Sequence, residues 1–180
     1  MKRVNQYWHI MKVIMACILL FLFLNTYVFT GFLVDGRSME PTLADGHMVM
    51  VNEMIYTYQP IDHFDVIVFQ HQDGGYFVKR VIGLPDDQIE MKDGSLYLDG
   101  EKVDEPYTDD VTEQMLIDDF TLVDLTGESE VPEGQLFVLG DNRMKSLDSR
   151  SFGFINEFDV LGKVDIRYWP MSQIATLFNH

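Results

Sequence analysis

Two residues in this chain have the chemistry of a hydrolytic pair, provided the fold brings them together. Ser38 sits in Gly36-Arg37-Ser38-Met39-Glu40-Pro41, a turn-like segment that can present a hydroxyl and aim N–H groups at a developing oxyanion. Lys79 sits in Tyr76-Phe77-Val78-Lys79-Arg80-Val81-Ile82. On a strand, Phe77, Lys79 and Val81 share one face and Arg80 points to the other. An amine flanked by apolar groups loses solvation, so its pKa falls and the neutral base becomes accessible. Alone, Lys79 also reads as a snorkelling edge-strand lysine and Ser38 as a loop-shaping serine. A third stretch, Gly140-Asp141-Asn142-Arg143-Met144-Lys145-Ser146-Leu147-Asp148-Ser149-Arg150, holds two acids and two arginines suited to bidentate pairing, or to a charged turn.

Other chemistries find little support. His9, His47, His63, His71 and His180 form no His-Glu-x-x-His, and no Gly-x-Ser-x-Gly is present. Asp124-Leu125-Thr126-Gly127 lacks the Asp-Thr/Ser-Gly pattern of aspartic proteases. A single cysteine, Cys17, excludes an intrachain disulfide and a thiolate zinc cluster. No metal and no cofactor is expected. The net charge of −16 argues against nucleic acid as a partner, since phosphates require cations.

The elements that must position these residues begin with a membrane segment. Val13–Val34 is an apolar run of 22 residues, about 33 Å as a helix at ~1.5 Å per residue, enough for a hydrocarbon core. Lys2, Arg3 and Lys12 precede it and no acid occurs before Asp35, so the positive-inside rule places the N-terminus in the cytoplasm and residue 35 onward outside. A cleaved signal peptide would have a shorter apolar core and a small-x-small exit, which this run lacks. The expected organisation is a tail and transmembrane signal-anchor helix over 1–34, then an extracytoplasmic β-rich domain over 35–180.

Within 35–180 the spacing predicts strands at Met48–Ile55, Asp65–Gln70, Tyr76–Ile82, Ser95–Leu98, Phe120–Leu125, Gln135–Leu139 and Val160–Trp169. Asp99-Gly100 predicts a hairpin, Gly74-Gly75 a turn, and Ser172–Phe178 a short helix. Residues 104–134, acidic and free of Lys and Arg, read as an excursion or small subdomain. The fold class is therefore mainly β: one N-terminal transmembrane helix followed by an antiparallel, barrel-like sheet.

Taken together and in order, the anchor and Ser38-Met39-Glu40-Pro41-Thr42-Leu43, Asp65-Val66-Ile67-Val68-Phe69, Val78–Pro85 and Gly140–Arg150 resemble the bacterial type I signal peptidases, in their small Gram-positive form. The resemblance implies a membrane-bound Ser/Lys endopeptidase that removes signal peptides from exported preproteins after small residues at −1 and −3. It implies Ser38 as nucleophile, Lys79 as general base and Ser146 orienting the amine, with Asp141, Arg143, Asp148 and Arg150 as supports. Val34, Met39, Leu43, Phe77 and Val78 would line shallow substrate pockets near Gly36. The implied partners are signal peptides, the lipid bilayer and the secretion machinery. Three departures from the pattern stand out: Gly36 where some members have Ser, Asp86 where Gly is common, and Met144-Lys145 in place of a polar pair. Lys145 is thus a decoy for the base. The competing readings are an inactive anchored β module that binds exported segments and a self-cleaving Ser/Lys peptidase.

Overall fold

The computed structural model describes residues 2–27, 29–108 and 117–176, with side chains over 7–21, 30–108 and 117–176. Helix α1 spans Lys2–Tyr27. Strand β1, Phe29–Leu33, follows and pairs antiparallel with β2, Met48–Asn52, from Phe29↔Asn52 to Leu33↔Met48. The apolar run thus changes structure before Val34. Phe29-Thr30-Gly31-Phe32-Leu33 is aromatic, β-branched and glycine-bearing, a composition that suits a sheet edge better than a helix. Hydropathy alone does not separate the two. Among the described residues no helix is long and apolar enough to cross a membrane. The expected span continues over 22–28, whose side chains lie outside the described set.

The main sheet is built from β1, β2, β3 (Val66–Gln70) and β4 (Tyr76–Gly83), which are joined by β9 (Gln135–Leu139), β10 (Ile155–Asn156) and β11 (Val160–Trp169). Its order is β1-β2-β11-β3-β4-β9-β10, with β12 (Ala175–Thr176) on β11. Every pairing is antiparallel. Register shifts along β11 at Val160/Gly162, Val164/Ile166 and Arg167/Trp169 bend it across the sheet. Val66-Ile67-Val68-Phe69 on β3 is buried on both faces: Val66 and Val68 pack with Val34, Met39, Leu43 and Val49, while Ile67 and Phe69 pack with Val81, Leu136 and Val138. A continuous apolar run is what a strand between two packed layers requires.

A second sheet, β7-β6-β5-β8, comprises β5 (Ile89–Lys92), β6 (Ser95–Leu98), β7 (Glu101–Lys102) and β8 (Phe120–Thr121). Ile89, Met91, Leu96 and Phe120 pack with Ile82, Phe137 and Leu139, joining it to β4 and β9 of the main sheet. Of the acidic stretch 104–134, Phe120–Thr121 form β8 of this sheet, whose other strands precede residue 104, and 109–116 lie outside the described residues. Asp99 (φ 51) and Gly100 (φ 80) make the expected hairpin turn between β6 and β7.

Three expected elements differ in outcome. Strand β2 ends at Asn52, and α2, Ile55–Tyr58, takes the end of the longer strand predicted there. The predicted strand Phe120–Leu125 stops after Thr121, where α3, Leu122–Thr126, begins. Thr121 caps it: its side chain accepts from Asp124 N, and the Asp124 carboxylate accepts from Thr121 N, a capping box readable as Thr-x-x-Asp. Instead of a helix over 172–178, Met171–Gln173 is one 3₁₀ turn and Ala175–Thr176 forms β12, with 177–178 outside the described residues. Helix α4, Ser149–Phe152, closes the 140–150 loop.

Candidate active site

Strand β4 carries Lys79 opposite Ile67 of β3, and the side chain is 4% exposed. Its Nζ lies 2.9 Å from Ser38 Oγ, donates to Val78 O at 3.0 Å, and stands 5.3 Å from the Phe77 ring centre. Burial pulls the amine down from 10.5 to about 8, against the opposing pull of the Asp148 and Asp141 carboxylates. Arg80, one residue on, points to the other face and is claimed by Asp141.

Ser38 reaches Lys79 because the segment after β1 is pinned at several points. Val34 N donates to His47 O at 2.8 Å, Gly46 N returns to Val34 O at 2.9 Å, and Gly36 N donates to Asp45 Oδ1 at 2.9 Å. Gly36 has φ +94 with open space where a Cβ would stand, so a serine there would be strained by backbone conformation rather than by crowding. Met39 and Leu43 plug the core at 1% and 0% exposure. Ser38 O accepts from Asn142 N at 3.0 Å, which ties the segment to the 140–150 loop. Among the described residues the Ser38 N–H has no acceptor.

The acids and arginines of that loop do not pair only with one another. Asp148 and Arg150 do, through Nε–Oδ1 at 2.8 Å and Nη2–Oδ2 at 2.9 Å. Asp148 Oδ2 also accepts from Gly140 N at 3.1 Å. Asp141 instead holds Arg80 bidentately, at 2.8 and 2.7 Å, and accepts from Thr42 Oγ1 at 2.5 Å. Arg143 pairs with Glu105 and donates to Gly140 O at 3.1 Å. Arg80, Thr42 and Glu105 are therefore parts of the site that sequence reasoning missed. Strand alternation put Arg80 on the face opposite Lys79, but nothing local pointed to its partner.

Ser146 Oγ is buried with no hydrogen-bond partner among the described residues, so the expected bond to the Lys79 amine is not made. It lies against Gly140, where an added Cβ would come within 2.2 Å of Ser146 Oγ and 2.4 Å of Ser38 O. Lys145 is exposed, lacking the apolar shelter that Lys79 has. A cleft of about 400 Å³ opens over Ser38 and Lys79, lined by Val34, Gly36, Met39, Phe77 and Val78 together with Phe32 and Leu33 of β1. Leu43, expected to line it, is packed behind with Val34 and Val49. Asp86 adopts φ +73, the left-handed turn that a glycine would take without cost, and its N–H donates to Val131 O at 2.9 Å. Among the described residues no cluster of His, Cys, Asp and Glu could hold a metal ion.

The class follows from comparison with known proteins. Residues 7–169 match the family described as "Signal peptidase, peptidase S26". "Signal peptidase I" of Bacillus caldolyticus is 48% identical over 159 residues, covering 86% of this chain and 87% of that protein. "Signal peptidase IB" of Staphylococcus aureus is 38% identical over 189 residues, covering 99% and 97%. A crystal structure of a signal peptidase I from Enterococcus faecalis V583 superposes with a TM-score of 0.53 at 37% identity, covering 59% of this chain and 97% of that one. The chain belongs to the signal peptidase family, peptidase S26. It is an enzyme, a peptide-bond hydrolase of the signal peptidase I kind.

Proposed function

We propose that this protein is a membrane-bound serine endopeptidase whose Ser38/Lys79 dyad removes signal peptides from exported preproteins. The observation that carries the reading is the 2.9 Å contact between the Ser38 hydroxyl and a buried lysine amine whose pKa has fallen to about 8. Neutral Nζ takes the hydroxyl proton as Oγ attacks the scissile carbonyl. The protonated amine then donates to the leaving nitrogen, and a water activated by the same amine releases the acyl group. The Ser38 N–H, without an acceptor among the described residues, supplies an oxyanion donor where Gly36 offers no hydroxyl. Ser146 Oγ, buried and without a hydrogen-bond partner among the described residues, can bond the amine during turnover without giving up an existing hydrogen bond there. Asp141, Arg143, Asp148 and Arg150 hold the loop behind the dyad.

A cleft walled by Val34, Met39, Phe77 and Val78 suits small apolar residues at −1 and −3. Phe32 and Leu33 of β1 and Phe77 and Val78 of β4 flank it, so an extended substrate can lie between strands. The described side chains of α1 support the anchor: Ile10, Met11, Val13, Ile14, Met15, Ile18, Leu19, Leu20 and Phe21 are all exposed, a pattern that lipid accommodates and water does not. The catalytic unit then stands on the outer side, its cleft a few residues past the end of α1.

The test is processing of a model preprotein by full-length protein in membranes. Ser38→Ala abolishes cleavage; complete cleavage by that variant refutes the assignment and would favour another nucleophile. A preprotein with Ala at −1 is cut, and one with Phe at −1 is not.

A further inference from the structure

The acidic segment just after β7, within the second sheet's connections, does more than lie on the surface. Glu105 and Arg143 form an ion pair with both side chains under 7% exposed (6% and 4%). Tyr107 OH donates to Glu105 Oε1 at 2.9 Å, and Thr108 Oγ1 donates to Glu105 O at 2.8 Å. The Tyr107 ring lies 3.9 Å from the Arg80 guanidinium carbon, and Arg80 Nη1 donates to Phe64 O at 2.8 Å.

Two routes run from this segment to the two halves of the site. One goes from Glu105 through Arg143 to Gly140 O, in the loop whose Asn142 N–H holds Ser38 O at 3.0 Å. The other goes from Tyr107 through Arg80, chain neighbour of Lys79 and bidentate partner of Asp141. We infer that Glu105 and Tyr107 form a strap of positioning residues that clamps Arg143 and Arg80 and so holds the Ser38 hydroxyl at the Lys79 amine. The inference rests on the dyad reading proposed above.

The physical case is one of geometry rather than gross stability. A buried ion pair returns little net stability compared with apolar packing of the same volume, yet removing one partner leaves a desolvated charge that pulls its surroundings out of place. Arg143 is such a charge, and the other acceptor of its guanidinium among the described residues is the single carbonyl Gly140 O. Once Glu105 is neutral, the guanidinium is drawn toward Asp141, which holds Arg80 bidentately. Displacing the Ser38 backbone by a fraction of an ångström affects the reacting pair far more than the cleft walls on β1 and β4 that bind substrate.

The experiment compares Glu105→Gln, Arg143→Gln and the double variant, all full length, on a signal-peptide substrate. Glu105→Gln lowers kcat about tenfold to a hundredfold while KM stays within about threefold, as expected for lost alignment. The double variant is no slower than Arg143→Gln alone, because both changes break one clamp. A kcat within about twofold of the parent, or losses that multiply in the double variant, overturns the inference. Should Glu105→Gln not fold, Glu105→Asp and Tyr107→Leu serve instead: both keep the fold and lower kcat at unchanged KM, and unchanged kcat in both overturns it. Cleavage by Ser38→Ala would defeat the dyad itself, whereas an inert Ser38→Ala with a fully active Glu105→Gln defeats only the strap.

Discussion

Burying the Lys79 amine lowers its pKa and carries an energetic cost. A lysine titrating at 10.5 when unfolded and at about 8 when folded binds fewer protons in the folded state between those values. Unfolding therefore takes up protons there, and this group's contribution to stability improves as pH rises from about 8 to 10.5. Below about 8 the penalty is fully present and amounts to about 3 kcal/mol, because lowering a pKa by one corresponds to ~1.4 kcal/mol. Lys79→Met should thus abolish activity while raising the thermal midpoint at pH 7, read by calorimetry on the purified protein. Activity should follow the neutral amine: kcat/KM climbs with pH through a midpoint near 8. A flat profile from pH 6 to 9 would contradict a lysine base. Lys79→Arg should be inactive because a guanidinium stays charged at every working pH.

At the scale of elements, the 140–150 loop and the turn carrying Ser38 act as one piece. Gly140 permits their close approach, since a methyl there would stand 2.4 Å from Ser38 O and 2.2 Å from Ser146 Oγ. Gly140→Ala should push the loop off the Ser38 backbone and reduce kcat about a hundredfold or more, with a smaller effect on KM, in a steady-state assay. Asp141→Asn tests the join between β4 and the loop. It leaves Arg80, 8% exposed, without its carboxylate and should destabilise the fold by about 3–5 kcal/mol in denaturant titration. The capped α3 shows how an element can be misread. Phe120 to Leu125 is apolar enough for a strand, but the Thr121–Asp124 box satisfies helix N–H groups and turns the chain.

For the whole molecule, the boundary between α1 and the sheet matters most. Strand β1 begins at Phe29 and supplies Phe32 and Leu33 to the cleft. A truncation that starts at residue 28 should keep the fold and a soluble activity. One that starts at residue 35 removes the strand paired with β2 and one wall of the cleft, and should lose most activity and unfold at lower temperature. Both are checked by circular dichroism and peptide cleavage.

The Ser38 and Lys79 types, the alternation that places Arg80 opposite Lys79, the strands at Ser95–Leu98 and Gln135–Leu139, and the Asp99-Gly100 turn were all legible in the sequence. Each depends on residues within a few positions of one another, where side-chain chemistry and backbone preference act directly. The 2.9 Å meeting of Ser38 and Lys79, the claim of Asp141 on Arg80 and of Glu105 on Arg143, the retreat of Leu43 into the core and the end of α1 before β1 depended on tertiary structure. Partners brought together by sheet pairing from 38 to 61 positions apart leave no local trace, because what selects them is the shared cost of burying charge.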